Sequence, residues 1–325
     1  MRLLNRLSKF ASLVFLLFLR SLSVCQDNKT EITPNLRTLR NEVSREREAA
    51  SVPDYVIVEL SDKKLLHYYP ELKGLTPAPS QGDIGKLLES VGKNESTLVN
   101  TVPSISAHEE VVQEHLDKRG WVQGTPAFSG QYRYIVRSHV VGEGMRFSVG
   151  RTDEQWRTVD PEIPTGYSLV KDFALLPLHF HTFHQDAARF RYLGRQKVEN
   201  REDYVIAFAQ VPEKAELLGS VRVRGAEITV AYQGIAWVDP DTYQIRRMRV
   251  DLLKAKPEAG IETTEATFDE VHLPVVNKSF WLPREAVVTR SEKGGSLRER
   301  HQFSDYRILT QYKDSSQDRT TREKQ

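Results

Sequence analysis

The sequence predicts an α+β protein built on one large, curved antiparallel β-sheet, an open half-barrel with short helices packed in its concave face. Three observations predict this fold. Residues 234–253 are typical of a hairpin, with two strand-like runs flanking an Asp-Pro-Asp turn. Similar patterns recur over residues 104–310 and give about ten strands. One apolar, proline-interrupted segment, 167–188, is instead typical of one or two short helices. So many consecutive strands favour a single curved sheet, and the helices would cover its apolar inner face.

Residues 1–25 have the features of an export signal. Arg2, Arg6 and Lys9 precede the apolar run 10–19, which at about ten residues is too short to span a bilayer. Cys25 occupies the last small-residue position before a cleavage site. The sequence therefore predicts a secreted cell-envelope protein, located in the periplasm or at the outer membrane, with no transmembrane segment after the signal.

The same residues allow two alternatives to plain secretion. Residues 22–25 also fit a lipobox, in which Cys25 is lipidated and anchors the protein to a membrane. An uncleaved signal anchor is the other alternative.

Composition excludes several classes of protein. Cys25 is the only cysteine, so neither an intramolecular disulfide nor a cysteine-based metal site can form. The formal net charge is +2 and stays close to zero when the basic signal is left out, so a nucleic-acid partner is not indicated. After cleavage, a chain of about 300 residues is long enough to be held by its core alone. No cofactor motif is present, since no lysine-serine pair follows the glycine turns.

The first quarter of the mature chain is predicted to be irregular. Residues 26–103 are expected to form a polar lead-in and a small α/β segment, with a strand-like run at 55–60 and a linker at 76–82. Asp83 is a favourable N-cap for a helix through Val91, and a second helical piece is expected around Leu98. The polar tail, 311–325, is expected to be disordered.

Residues 104–310 carry the predicted sheet domain, and their strands are indicated by alternation and turn residues. The predicted strands are 105–116, 130–141, 145–149, 154–159, 190–198, 204–211, 228–238, 243–253, 262–273, 280–290 and 297–309.

Three segments of this domain resemble a known family. Residues 190–208 (FRYLGRQKVENREDYVIAF), 234–245 (GIAWVDPDTYQI) and 280–285 (FWLPRE) are similar, in order and spacing, to two successive hairpins and the following strand of the LolA/LolB-like superfamily of outer-membrane lipoprotein carriers. The resemblance covers roughly residues 104–309. It implies a curved sheet that holds an apolar ligand, often an acyl chain, between sheet and helices. The positions that define function in the carriers are not recognisable here, so none is transferred.

The predicted function is non-catalytic binding of a lipid, an acylated lipoprotein or another apolar ligand. Phe173, Leu176, Phe180 and Phe183 are candidate ligand-binding residues, as a helical lid over a groove, and Trp237 is a fifth. Packing in the core is the alternative role for each. No Gly-x-Ser-x-Gly elbow supports a serine hydrolase.

Two other functions stay open. His179, His181 and His184 lie close together in the chain, and three imidazoles gathered by a turn would suit zinc or copper in a metal-dependent enzyme. Alternatively, residues 51–103 could contact an envelope protein partner in an interaction or sensor module. Other histidines, including His301, are expected to be surface or strand residues, and Glu109 and Glu110 are expected on opposite faces of one strand.

Overall fold

A computed structural model of the chain describes residues 55–102, 104–141, 144–160, 163–165, 169–223, 226–254, 261–292 and 294–309. The predicted signal, the lead-in up to residue 54 and the tail after residue 309 lie outside these residues. Among the described residues, no helix has the length and apolar character needed to cross a membrane.

The structure contains two α-helices, four 3-10 helices and thirteen named strands within the described part of the chain. The helices are α1 (Asp62–Tyr68) and α2 (Ile84–Thr101), and the 3-10 helices are Ile57–Glu59, Pro70–Leu72, Asp172–Phe180 and Gln185–Ala187. The strands are β1 (Thr76–Pro77), β2 (Ser104–Asp117), β3 (Phe128–Val141), β4 (Gly144–Thr152), β5 (Ala188–Val198), β6 (Arg201–Gln210), β7 (Gly219–Val223), β8 (Ala226–Val230), β9 (Tyr232–Val238), β10 (Ile245–Leu252), β11 (Ile261–Leu273), β12 (Lys278–Glu292) and β13 (Gly295–Ile308).

Eleven of these strands form one antiparallel sheet in the order β1-β5-β6-β9-β10-β11-β12-β13-β2-β3-β4. The predicted fold class is therefore confirmed: the sheet is large, curved and not closed into a barrel, and the helices are few. The last strand in sequence, β13, pairs with β2 and so joins the early meander β2-β3-β4 to the later one. Strands β7 and β8 form a separate small hairpin.

Side chains alternate between the two faces of the sheet, as the pleat of a β-strand requires. Ala236 and Val238 of β9 belong to the larger core, which also contains Leu87 and Val91 of α2. Trp237 belongs to a second core, formed with the segment that carries α1. We call the α2 side the inner face and the α1 side the outer face. Residues 235 and 237 of β9 therefore lie on the outer face, and residues 236 and 238 lie on the inner face.

The 239–241 turn between β9 and β10 has the predicted structural role. The Asp239 carboxylate accepts hydrogen bonds from the backbone amides of Asp241 and Thr242, at 3.0 and 2.9 Å. Tyr243 follows with a φ of 56°, in the left-handed region. These bonds lower the pKa of Asp239, against the opposing effect of its partial burial, and its carboxylate is occupied in holding the turn.

Several predicted elements were wrong in detail. The strand-like run 55–60 contains a 3-10 helix, because Ile57 is buried against the outer face and its amide donates to Gln233 Oε1 at 2.7 Å. The two expected helical pieces around residues 84–98 form one continuous helix, α2. The predicted strand 228–238 is interrupted at Ala231 and contributes to two sheets. Residues 154–159 provide only a single bridge, between Thr152 and Thr158.

Candidate functional site

The inner face of the sheet is crossed by one long connection between distant strands. Strand β4 is an edge strand, whereas β5, the next strand in the chain, lies near the opposite edge. The intervening residues must therefore traverse the sheet, and they do so through the 3-10 helix Asp172–Phe180, which we call the crossover helix. Pro177 lies inside it, and a proline donates no backbone hydrogen bond there. The prediction of one or two short helices in this region is confirmed.

A cleft opens between the crossover helix, the C-terminal half of α2 and the inner face. Its empty space, together with the solvent at its mouth, is about 550 Å³. The described lining is apolar apart from Ser138 and the indole nitrogen of Trp281. It consists of Leu98, Val99, Val102, Ile105, Val136, Ser138, Phe147, Ala174, Leu175, Pro177, Leu178, Phe268, Trp281, Leu282 and Pro283. This lining suits a hydrocarbon and offers few hydrogen bonds to a polar ligand.

A buried ionic network lies beside the N-terminal end of the crossover helix. His301 of β13 is fully buried between two carboxylates: Nδ1 is 2.8 Å from Glu109 Oε1 and Nε2 is 2.8 Å from Glu299 Oε1. Glu109 pairs with Arg151 of β4 through two hydrogen bonds of 2.6 and 2.7 Å. Glu299 pairs with Arg290 of β12 at 3.0 Å. Four strands therefore contribute to one network without solvent access.

The geometry of the network fixes the protonation of the imidazole. A neutral imidazole carries one N–H, so two hydrogen bonds to ionised carboxylates require the charged form. Burial alone would lower the pKa of His301, but the bonds to Glu109 and Glu299 raise it. Burial likewise opposes ionisation of the two carboxylates. The charge of Arg151 nevertheless lowers the pKa of Glu109, and that of Arg290 lowers the pKa of Glu299.

This network holds the backbone that leads into the crossover helix. Arg151 Nη2 donates to the carbonyl of Val170 at 2.7 Å, and the amide of Val170 donates to Glu299 Oε1 at 2.8 Å. The Tyr134 hydroxyl donates to the next carbonyl, that of Lys171, at 2.5 Å. Because the network is buried and its groups bond to one another and to the backbone, it serves to position this helix.

The other end of the crossover helix is tied to α2. Gln185 Nε2 donates to the carbonyls of Phe180 and Leu88, at 2.7 and 2.8 Å. Gly92 of α2 approaches so closely that a Cβ there would lie 2.9 Å from the Phe180 carbonyl oxygen. The crossover helix is thus fixed at both ends, and the cleft lies between its two attachments.

The structure separates the five candidate ligand-binding residues. Phe173, Leu176 and Phe180 point into the larger core, where Phe173 lies 4.6 Å from the ring of His301 and Phe180 lies 5.6 Å from that of Phe208. Phe183 follows the crossover helix and is 79% exposed. Phe173, Leu176, Phe180 and Phe183 were predicted as one lid, and the first three pack the crossover helix against the sheet.

Trp237 lies on the outer face, on the opposite side of the sheet from the cleft. It is fully buried beneath the segment carrying α1, and its Nε1 donates to Gln196 Oε1 at 2.7 Å. The guanidinium of Arg247 stacks on its ring at 4.6 Å. These contacts give Trp237 a packing role between the sheet and the N-terminal segment.

The three clustered histidines have different surroundings. His179 is buried, its ring stacks on Phe208 at 5.2 Å, and burial lowers its pKa to about 3. The rings of His181 and His184 lie 5.8 Å apart at the end of the helix. Across the described residues, no group of three or more histidine, cysteine or acidic side chains is arranged to hold a metal ion. The geometry therefore gives the metal-site alternative no support.

Sequence reasoning missed the cleft residues of the crossover helix and the buried network. Ala174, Leu175, Pro177 and Leu178 line the cleft, but in an apolar segment nothing distinguishes them from their core-facing neighbours. His301 lies on a strand, one of the two positions expected for it, but its complete burial was not predicted. One signal was usable: two apolar residues of β13, Leu297 and Phe303, share a face with Glu299 and His301.

Comparison with known proteins gives a likeness in structure and none in sequence. No family model matches the chain, and no curated protein matches it. Among solved structures, it is similar to a Vibrio parahaemolyticus domain assigned to outer membrane lipoprotein sorting, with 12% identity, a TM-score of 0.40, and coverage of 73% of this chain and 98% of that one.

Two further structures show a similar likeness. A DUF1329 family protein from Desulfovibrio piger has 12% identity and a TM-score of 0.37, with coverage of 71% of this chain and 95% of that one. The lipoprotein LppX from Mycobacterium tuberculosis has 9% identity and a TM-score of 0.23, with coverage of 70% and 98%. The resemblance predicted from the hairpins was to proteins of this kind. Similarities of this size carry no conclusion about ligand or activity.

Proposed function

We propose that the protein is an exported envelope protein that binds an acyl chain, of a lipid or an acylated protein, in the cleft beneath the crossover helix, without catalysing a reaction. The observation that carries this proposal is the apolar cleft. Each side chain that meets an acyl chain there is removed from water in the complex, and burial of apolar surface contributes about 25 cal/mol per Å².

The position of the cleft also supports binding. Helix α2 and the crossover helix form one wall, and the sheet forms the other. The ionic network and Gln185 hold the crossover helix at its two ends, so the core residues Phe173 and Phe180 keep it on the sheet while Ala174 and Leu178 face the cleft. A preformed site of this kind avoids part of the ordering cost of binding.

Export is proposed from the basic and apolar character of residues 1–25. Lipidation of Cys25 would place the same cleft at a membrane surface, and cleavage after Cys25 would leave the protein free in the periplasm. Mass spectrometry of the mature N-terminus distinguishes these two forms.

The binding proposal is tested with a fluorescent acyl-chain probe. The substitution Ala174→Trp places a bulky side chain in the cleft, so we expect the affinity for the probe to fall by about tenfold or more. Leu66→Trp is the matched control, because Leu66 is 46% exposed on α1, on the outer face. Full retention of binding in the Ala174→Trp variant, with an unchanged fold, would contradict the proposal.

A further inference from the structure

A second, smaller cavity shares Leu175 with the cleft proposed to bind an acyl chain. It is bounded by the crossover helix, residues 217–219 and β9, and its empty space, together with the solvent at its mouth, is about 240 Å³. Leu175 lines both cavities. The smaller one differs in character, because Asp172, His179 and Tyr232 also line it. Three groups that form hydrogen bonds therefore line a cavity that adjoins the apolar cleft at Leu175.

Buried hydrogen bonds fix the tautomer of His179. Gln210 is 4% exposed. Its Oε1 accepts a hydrogen bond from the backbone amide of Tyr232 at 2.7 Å, and this bond defines the orientation of the Gln210 side-chain amide. Its Nε2 donates to the carbonyl of Leu217 at 2.7 Å and reaches His179 Nδ1 at 3.4 Å. Because Nδ1 faces a donor, it acts as an acceptor, and the proton of the neutral imidazole resides on Nε2. His179 therefore contributes an N–H donor.

The two other polar groups complement this donor. Asp172 accepts a hydrogen bond from the backbone amide of Ser220, and burial raises its pKa. The phenol of Tyr232 lies over Gly219, where a Cβ would come within 2.1 Å of the hydroxyl oxygen. The ring centroids of Tyr232 and His179 are 6.0 Å apart. Glycine at position 219 thus leaves room for the phenol beside the imidazole.

The charge around the cavity disfavours an anion. Asp172 forms no ion pair with any side chain in the described part of the chain, and Glu227 adds negative potential to it. The charges of Lys171 and Arg151 oppose this effect, but Lys171 is exposed and Arg151 is already paired with Glu109. A phosphate or carboxylate placed in the cavity would therefore meet a carboxyl group that has no ion pair of its own. A hydroxyl group has no such conflict, because it donates to Asp172 and accepts from His179.

We infer that this cavity binds the head group of an amphiphile whose acyl chain occupies the neighbouring cleft, and that the head group is hydroxyl-bearing and not anionic, as in a monoacylglycerol. The inference rests on the proposed function, since it requires an acyl chain in the cleft. Leu175 lies at the junction of chain and head group.

The test compares two ligands with the same acyl chain, a monoacylglycerol and a fatty acid, by equilibrium binding to the full mature chain at neutral pH. We expect the monoacylglycerol to bind about tenfold more tightly, the size of one hydrogen bond to a charged group. In Asp172→Asn the carboxyl charge is absent, so we expect the preference to fall to about threefold or less. Tyr232→Phe removes the hydroxyl group, and we expect it to weaken the binding of the monoacylglycerol more than that of the fatty acid.

The control is Asp186→Asn, the same chemical change at an exposed residue outside both cavities; it should leave the preference unchanged. Equal binding of the two ligands, or an unchanged preference in Asp172→Asn, overturns the head-group assignment while leaving the acyl-chain cleft intact. Failure of both ligands to bind overturns the proposed function itself. The two failures are therefore distinguishable.

Discussion

His301 and Glu109 lie 192 positions apart in the chain, yet the imidazole Nδ1 is 2.8 Å from the carboxylate Oε1. The bond forms because the last strand of the sheet, β13, pairs with β2. Through Arg151 and Glu299, the same network holds the backbone at residues 169–170. The pairing that joins the two meanders therefore also positions the crossover helix over the inner face.

Removing one carboxylate of this network should be strongly destabilising. Glu109→Gln leaves the guanidinium of Arg151, 5% exposed, without its ionic partner. Because breaking a buried ion pair leaves an uncompensated charge, we expect the free energy of unfolding to fall by about 3–5 kcal/mol. Chemical denaturation measures it.

The neighbouring residue provides the matched control. Glu110 lies on the opposite face of β2 and is exposed, so Glu110→Gln should change the free energy of unfolding by no more than about 0.5 kcal/mol. Equal effects of the two substitutions would contradict the role given to the network.

The contribution of His301 to stability should depend on pH in a defined direction. Its pKa is raised in the folded state from an ordinary value of 6.5. Its contribution is therefore fully present below about pH 6.5 and is lost as the pH rises through the folded-state pKa. The pKa values of Glu109 and Glu299 are lowered from 4.5, so their contributions are present above that pH and are lost as the pH falls.

The measurement is the difference in free energy of unfolding between the wild type and His301→Gln, in which the other titrating groups largely cancel. We expect this difference to decrease from about pH 6 to about pH 9. A difference that grows with pH would show that the imidazole is neutral in the folded state.

Glu95 of α2 should behave in the opposite way to a paired carboxylate. It is 5% exposed, and burial raises its pKa to about 8. The contribution of such a group to the free energy of unfolding is fully present below the unfolded pKa of 4.5. It is lost as the pH rises through the folded pKa.

Glu95→Gln should therefore stabilise the protein by roughly 2–3 kcal/mol at neutral pH, and the gain should vanish near pH 4.5. Thermal and chemical unfolding at the two pH values provide the measurement. Glu89→Gln, at an exposed position of the same helix, is the control and should show neither effect. The absence of any gain at neutral pH for Glu95→Gln would contradict the burial of this carboxyl.

Gly92 and Gly85 of α2 should respond oppositely to alanine. A Cβ at position 92 would lie 2.5 Å from Gln185 Nε2 and 2.9 Å from the Phe180 carbonyl oxygen, whereas at position 85 it would meet nothing within 4 Å. We expect Gly92→Ala to destabilise by about 1–3 kcal/mol because backbone must shift. Gly85→Ala should stabilise by about 0.5–1 kcal/mol, since alanine favours the helix.

The free energies of unfolding of the Gly92→Ala and Gly85→Ala variants, measured by chemical denaturation, test these expectations. Stabilisation by Gly92→Ala would mean that α2 and the crossover helix are not in close contact.

The positions of most strands could be predicted from the sequence, but not which face of the sheet each side chain occupies. Alternation located β5, β6, β9 and β10, because a half-buried strand repeats every two residues. Alternation could not show which face of β9, the one with Trp237 or the opposite one, lies towards the cleft, because both faces of β9 are covered by apolar elements.

The network and the cleft depend on the pairing of β13 with β2, which joins residues far apart in the chain. Local periodicity carries no information on such a pairing, so His301 could be placed on a strand but not between two carboxylates. The run 55–60 was assigned as a strand for a related reason: its apolar residues fit a strand locally, and the burial of Ile57 against the outer face is a tertiary effect.

The central claim, an acyl chain in the cleft, is tested most directly by quenching of tryptophan fluorescence with the methyl ester of a brominated long-chain fatty acid. Trp281 lines the cleft, whereas Trp237 is on the other side of the sheet and Trp121 is 55% exposed. The account predicts saturable quenching that is lost in Trp281→Phe and retained in Trp121→Phe. No saturable quenching, or quenching that persists in Trp281→Phe, would contradict it.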